Sequence, residues 1–168
     1  MVTKPYVTSV SYSFTRPSDT TAYADEDLVA NSTTAGSVVP MSFPIGVANG
    51  RGVKVVGVTI QKSDGTDAAN ATFSVRLFGS SPTVANGDNG AISHDAAGYI
   101  GEIAAPIMIA HTDDCRTQVY AGAVSGGFNA PYHYLRSTNT IYGLLKAEAA
   151  YTPASAEVFT VTLIIEQY

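Results

Sequence analysis

The sequence predicts an all-β fold, a jelly roll or β-sandwich of about eight antiparallel strands with long loops. Two observations predict it. The first is the closing segment Glu157–Tyr168, E-V-F-T-V-T-L-I-I-E-Q-Y. Successive strand side chains point to opposite faces, so Phe159, Val161, Leu163 and Ile165 share one side of a pleat. Val158, Thr160, Thr162 and Ile164 share the other. Apart from Leu163, every residue from Val158 to Ile165 is β-branched or aromatic, which suits a half-buried pleated surface. This segment is expected to lie within a sheet. The second observation is a turn signal about every ten residues along most of the chain.

The elements follow in order. Val7–Phe14 alternates, with Val10, Tyr12 and Phe14 on one face and Ser9, Ser11 and Ser13 on the other, and reads as a half-buried strand. Residues 16–36 are rich in turn formers and read as a long loop, with Tyr23 and Leu28 as its anchors into the core. Val38–Phe43, bounded by Pro40 and Pro44, fits an edge strand. Gly52–Gln61 reads as a strand, Asp64-Gly65 as a hairpin turn, and Thr72–Phe78 as the partner strand, with Phe73, Val75 and Leu77 facing the core. The segment P-T-V-A-N-G-D-N-G is a loop. Tyr99–Met108 is a strand interrupted by Pro106. His111–Gly127 reads equally as a short helix or a loop. Thr140–Ala150 has helix-forming residues in L-L-K-A-E-A-A, yet it follows β-branched Thr140-Ile141 and stops at Thr152-Pro153, so a strand is expected. The organisation expected is residues 1–20 as an N-terminal arm and first strand, and 21–168 as a single sandwich or jelly-roll domain.

Composition narrows the function classes. Hydrophobic residues make up 45% of the 168 and charged residues only 14%, where about a quarter is usual. Ser, Thr, Ala, Asn and Gly take their place. A surface of small uncharged polar groups is easily desolvated, which suits contact with copies of itself or with a larger assembly. A net charge of −5, with nine scattered Lys and Arg, argues against a nucleic-acid partner. The lone Cys115 makes no internal disulfide. No signal peptide and no membrane span are expected.

Candidate chemistry is sparse. His111, Asp113, Asp114 and Cys115 crowd into five residues, but no second cluster closes a zinc site. Asp25-Glu26-Asp27 and Asp64-Gly65-Thr66-Asp67 offer oxygen ligands without the spacing of a calcium loop. His94-Asp95 and His133 could supply a base, but no G-x-S-x-G elbow occurs. Gly50-Arg51-Gly52 lacks the spacing of a phosphate loop. No catalytic residue, metal or cofactor is therefore assigned. Ten tyrosines and no tryptophan suit either interfaces or core packing with a wet hydroxyl. Tyr132, Tyr134 and Tyr142 lie close together in sequence.

Three segments resemble a family of tailed-bacteriophage virion proteins. They are Y-A-D-E-D-L-V-A-N-S-T (Tyr23–Thr33), R-L-F-G-S-S-P-T-V-A-N-G-D-N-G (Arg76–Gly90) followed by Gly98-Tyr99-Ile100-Gly101, and A-Y-T-P-A-S-A-E-V-F-T-V-T-L (Ala150–Leu163). The resemblance runs from residue 20 or so to residue 168, and its motifs are turn and strand patterns. Residues from His111 to Leu135 depart from it. It implies a virion structural protein, a head decoration (cement) protein on the capsid surface, made in the cytoplasm of a bacterial host. The implied partner is the major capsid protein. The implied state is a homo-oligomer, a trimer, with no enzymatic activity, cofactor, nucleic acid or membrane. The contact elements expected are the arm Met1–Tyr6 and the loop Arg16–Gly36, both long, low in apolar content and free to order on binding. Within and beyond them the contact residues expected are Val2, Lys4, Tyr6, Arg16, Tyr23, Asp25, Tyr132 and Tyr134. The rival readings are a tail, baseplate or carbohydrate-binding host-recognition module of the virion, and a hydrolase using His94 or His133.

Overall fold

A computed structural model describes residues 6–46, 52–65, 68–95, 98–121 and 139–168, and the backbone of 132–134. Its strands are β1 (Tyr6–Thr15), β2 (Leu28–Val29), β3 (Met41–Pro44), β4 (Gly52–Lys62), β5 (Phe73–Phe78), β6 (Tyr99–Ala104), β7 (Ile109–Ala110), β8 (Cys115–Tyr120), β9 (Tyr132–Tyr134), β10 (Thr140–Ala147) and β11 (Val158–Gln167). There is no helix among the described residues. One sheet runs β1-β11-β4-β8-β7 with β9 also on β4, and the other runs β2-β10-β5-β6 with β3 also on β10. Every pairing is antiparallel. The all-β, two-sheet fold is the one the sequence predicts. The strands beyond the expected eight or so are short additions such as β2, β7 and β9.

The last strand sits in mid-sheet, between β1 and β4. Phe159, Val161, Leu163 and Ile165 are fully buried, as the pleat predicts. Val10, Tyr12 and Phe14 of β1 pack against the same core, and Phe73, Val75 and Leu77 of β5 close it from the opposite sheet. Phe73 meets Phe159 edge-on at 5.4 Å, and Phe14 stacks on Phe159 at 5.8 Å. Each such side chain removed from water contributes about 1.5–3 kcal/mol. A bulge in β4 lets it bury more than strict alternation allows. The register steps from Ile164↔Gly57 to Ile165↔Val55, leaving Val56 as the extra residue. That one insertion switches parity, so Val53 and Val55 below it and Val58 and Ile60 above it are all buried.

Three expectations need correction. Asp64-Gly65 does not join a hairpin, because β4 and β5 belong to different sheets. Both margins of β4 are occupied, by β11 and by β8. The chain therefore crosses between layers, turning through Asn70 at φ 58° and burying Ala71. Gly65 serves close approach instead: a Cβ there would lie 2.3 Å from the His111 carbonyl oxygen. His111–Gly127 holds neither the helix nor the loop expected over its full length, since Cys115–Tyr120 forms β8. Cys115, Thr117 and Val119 point inward there, a row too weakly apolar to announce a strand. Residues 122–130 lie outside the described region.

The loop 16–36 is not free either. Tyr23 forms a bridge with Tyr151, Leu28–Val29 pairs with β10, and Asp27 forms a bridge with Ala91. Leu28, Ala30, Phe78, Val84 and Leu144 build a second core outside the five-stranded sheet, with Val38, Ile92 and Tyr142 against it. Segments on either side of β2 and between β5 and β6 thus cover the outer face of that sheet.

Candidate interaction surface

The outer face of the six-stranded sheet has no such cover among the described residues. Register places its residues in rows across the strands. Ser11, Thr162, Thr59 and Gln118 form one row, and Ser13, Thr160, Gln61, Arg116 and Ile109 the next. Ser9, Ile164, Gly57 and Tyr120 form a third. Facing hydroxyls bond across β1 and β11, with Ser11 Oγ and Thr162 Oγ1 2.8 Å apart and Ser13 Oγ and Thr160 Oγ1 also 2.8 Å apart. These bonds satisfy part of each hydroxyl's capacity without fixing a net charge. Tyr120 lies over Gly57, where a Cβ would fall 2.7 Å from its ring. The glycine makes room for the one aromatic side chain of these three rows. Across these three rows Arg116 is the single charged side chain, and Asp114 pairs with it at 2.5 Å.

The five-stranded sheet presents charge instead. Arg76 bonds Glu102 at 3.0 Å, and Lys146 bonds Glu26 at 2.7 Å, Glu102 at 3.0 Å and Glu148 at 3.0 Å. Burial alone would raise the Glu102 carboxyl, but the Ser74 hydroxyl, Lys146 and Arg76 outweigh it and hold the group down to about 2. Asp25, Glu26 and Glu148 bring carboxylate oxygens within 4.8 Å of one another. Lys146 already neutralises two of the three, so the trio is a salt-bridge cluster around an ammonium.

Two buried networks lock the sandwich at one end. Arg16 donates to the Tyr23 hydroxyl at 2.9 Å and to Asp88 at 3.2 Å, and Tyr23 donates to Asp88 at 2.7 Å. The Ala30 amide donates to the same carboxylate at 2.7 Å. Burial pushes the Asp88 carboxyl above its ordinary value, against these donors. Burial, followed by the Asp88 charge, pushes the Tyr23 hydroxyl up as well. In the second network Lys62 bonds Glu157 at 2.8 Å, and Tyr151 donates to the other Glu157 oxygen.

The structure sorts the expected contact residues. Arg16 and Tyr23 are both buried, at 2% and 1% exposure, and bond Asp88. Tyr23 is the core anchor that its sequence position also predicted. Tyr6 is 54% exposed at the start of β1 and Asp25 is exposed in its turn, so both are accessible. Tyr132 and Tyr134 belong to β9, and their side chains lie outside the described residues, as do Val2 and Lys4. The hydroxyl face was missed. Its signal was present, in the Ser and Thr alternation of the first and last strands.

The chemical candidates come apart. Cys115 faces the core while His111 and Asp113 face solvent. The His94 ring lies against the Asp95 carbonyl at 2.6 Å and Arg76 at 3.2 Å, and the Asp95 carboxylate takes the Thr83 amide instead of the imidazole. The side chain of His133 lies outside the described residues.

No family model matches the chain, and no curated protein matches it. Among solved structures it is similar to the decameric BFDV capsid protein, at 10% identity over 98% of this chain and 100% of that chain, with a TM-score of 0.36. It is similar to a desmodium yellow mottle tymovirus chain at 14% identity over 99% and 89%, with a TM-score of 0.30. It is also similar to a turnip yellow mosaic virus chain at 12% identity over 100% and 83%, with a TM-score of 0.26. Likeness this distant carries no function across.

Proposed function

We propose that the chain is a structural protein of a phage virion, a head decoration protein that binds the outer capsid surface and acts by contact, not catalysis. The observation that carries this is the inequality of the two sheets. One outer face is roofed by the protein's own loops and charge pairs. The other is a broad array of hydroxyls, amides and small apolar groups with one charged side chain in its three central rows. Such a face is cheap to desolvate, because uncharged groups lose little on leaving water when they find new hydrogen bonds. The resemblance of the three segments to tailed-phage virion proteins supports the same reading.

The partner is the major capsid protein, and the arm Met1–Tyr6 adds a second contact beyond the face. Each copy bridges neighbouring capsid subunits, so modest interfaces add through multivalency and resist expansion of the filled head. Cryo-EM of the native particle tests this. Density for the chain over capsomer junctions, with the six-stranded sheet toward the shell, is the expected result. Location on the tail would transfer the protein to the host-recognition reading, and absence from the particle would overturn a virion role.

A further inference from the structure

β1 lies at the margin of the six-stranded sheet, and its outward backbone groups have no strand opposite them among the described residues. Their identity can be fixed. The Arg16 amide bonds the Glu157 carbonyl at 3.0 Å. In an antiparallel pair, residues that exchange bonds alternate with residues that do not. Even-numbered residues of β1 therefore bond β11. Val7, Ser9, Ser11, Ser13 and Thr15 turn both N–H and C=O away from it, and their side chains are exposed. Soluble proteins blunt such margins with lysine, proline, a bulge or a very short strand. β1 has none of these: its 10 residues carry no charge and no proline, and pair with β11 in unbroken register.

We propose that this margin docks a second copy of the same chain, the two β1 strands pairing antiparallel about a two-fold axis at Ser11. The centre of the strand, Ser9 to Ser13, is symmetric in residue class about that point, and the outer pairs set no charge against another. In V-T-S-V-S-Y-S-F-T, Ser9 comes opposite Ser13 of the second copy, Val10 opposite Tyr12, Thr8 opposite Phe14 and Val7 opposite Thr15. Each outward N–H and C=O from Val7 to Thr15 then meets a partner. The half-buried row gains apolar pairs, and the hydroxyl rows continue from one copy onto the other. A two-fold contact is self-complementary by construction, and an uncharged strand sets no like charges against each other. This association is independent of any capsid, and it is two-fold where the family resemblance implies three-fold.

Sedimentation equilibrium of the full chain at micromolar concentration tests it with two paired variants. Ser9→Lys/Ser13→Lys sets like charges opposite at two symmetric points. Ser9→Lys/Ser13→Glu sets unlike charges there. The expected results are a dimer for the parent, dissociation at least about tenfold easier for the like-charge variant, and recovery in the unlike-charge variant. A monomeric parent, a trimer unaffected by either change, or equal loss in both variants would overturn the proposal. Amide hydrogen exchange covers the case in which a variant folds poorly. In the parent, the amides of Ser9, Ser11 and Ser13 should be protected when concentrated and exposed on dilution. Concentration-independent exposure would equally sink it.

Discussion

Tyr23 and Tyr151 stack nearly parallel, with ring centroids 6.0 Å apart, and each hydroxyl donates to its own buried carboxylate, Asp88 for one and Glu157 for the other. The pair joins two ionic networks that would otherwise be separate. Tyr23, Asp88 and the Tyr151–Glu157 pair come one from each of the three segments that carry the family resemblance. Those segments, far apart in sequence, meet here. Their side chains close one end of the sandwich, so the residues in these segments are accounted for by packing and buried hydrogen bonds.

Removing one partner of this device should cost far more than its small volume suggests. Asp88→Asn leaves the buried Arg16 guanidinium with only the part-exposed Asp19 carboxylate, 3.1 Å away, as counter-charge, so the loss should approach the roughly 3–5 kcal/mol of a broken buried pair without exceeding it. Urea unfolding should show a midpoint far below the parent's at unchanged slope. A loss under about 1 kcal/mol, the range of exposed pairs, would mean that the site relaxes to admit water.

The charged face should contribute to the loss of stability in acid. The Glu102 carboxyl falls from an ordinary 4.5 to about 2 in the folded protein. A depressed acid stabilises the fold above its unfolded value, and that stabilisation is lost as pH falls through the folded one. Glu102→Gln should therefore flatten the fall in stability between those two values and leave the alkaline side unchanged. Chemical unfolding across that pH range checks it, and an undiminished slope in the variant would place the acid sensitivity elsewhere.

Cys115 should be chemically silent in the native protein. It is fully buried on the inner face of β8, and burial pushes its thiol up. Thiolate is the reactive form, so attack by a disulfide reagent should await unfolding. Stoichiometric labelling of the folded chain within minutes would show that β8 opens.

Alternation made the long strands legible. β11, β1 and β5 show their inner faces in the letters themselves, because three or four aliphatic or aromatic residues recur at alternate positions in each. β8 was not legible because Cys and Thr fill two of its three inward positions. Polarity does not mean solvent exposure in residues 16–36. Arg16 and Asp88 are buried at 2% and 7%, which is tolerable because they pair across 72 positions and are bonded further by Tyr23, the Ala30 amide and Asp19. A pairing at that separation leaves no periodic trace. The Asp64-Gly65 signal does mark where β4 ends, but the sheet that the next strand joins is chosen by which margins are free, a property of the whole fold.

The hydroxyl face can be separated from the N-terminal arm by experiment. Gln118→Glu with Thr160→Glu puts carboxylates at the middle of the face, where the parent has uncharged groups. If that face seats on the capsid, each carboxylate must be desolvated without a partner, and affinity for isolated heads should fall by about a hundredfold or more. Neither side chain faces the core and the one bond lost is that between the Ser13 and Thr160 hydroxyls, so the unfolding free energy should fall by no more than about 1.5 kcal/mol. Deleting residues 1–6 should abolish head binding too, while removing only the first rung of β1, Tyr6↔Gln167. Occupancy on heads, measured by co-sedimentation and densitometry, discriminates the two. If the truncation alone loses binding, the arm carries the contact and the face is free for another partner. If the carboxylates alone do, the arm is dispensable. Binding undiminished in both would remove each from the capsid contact.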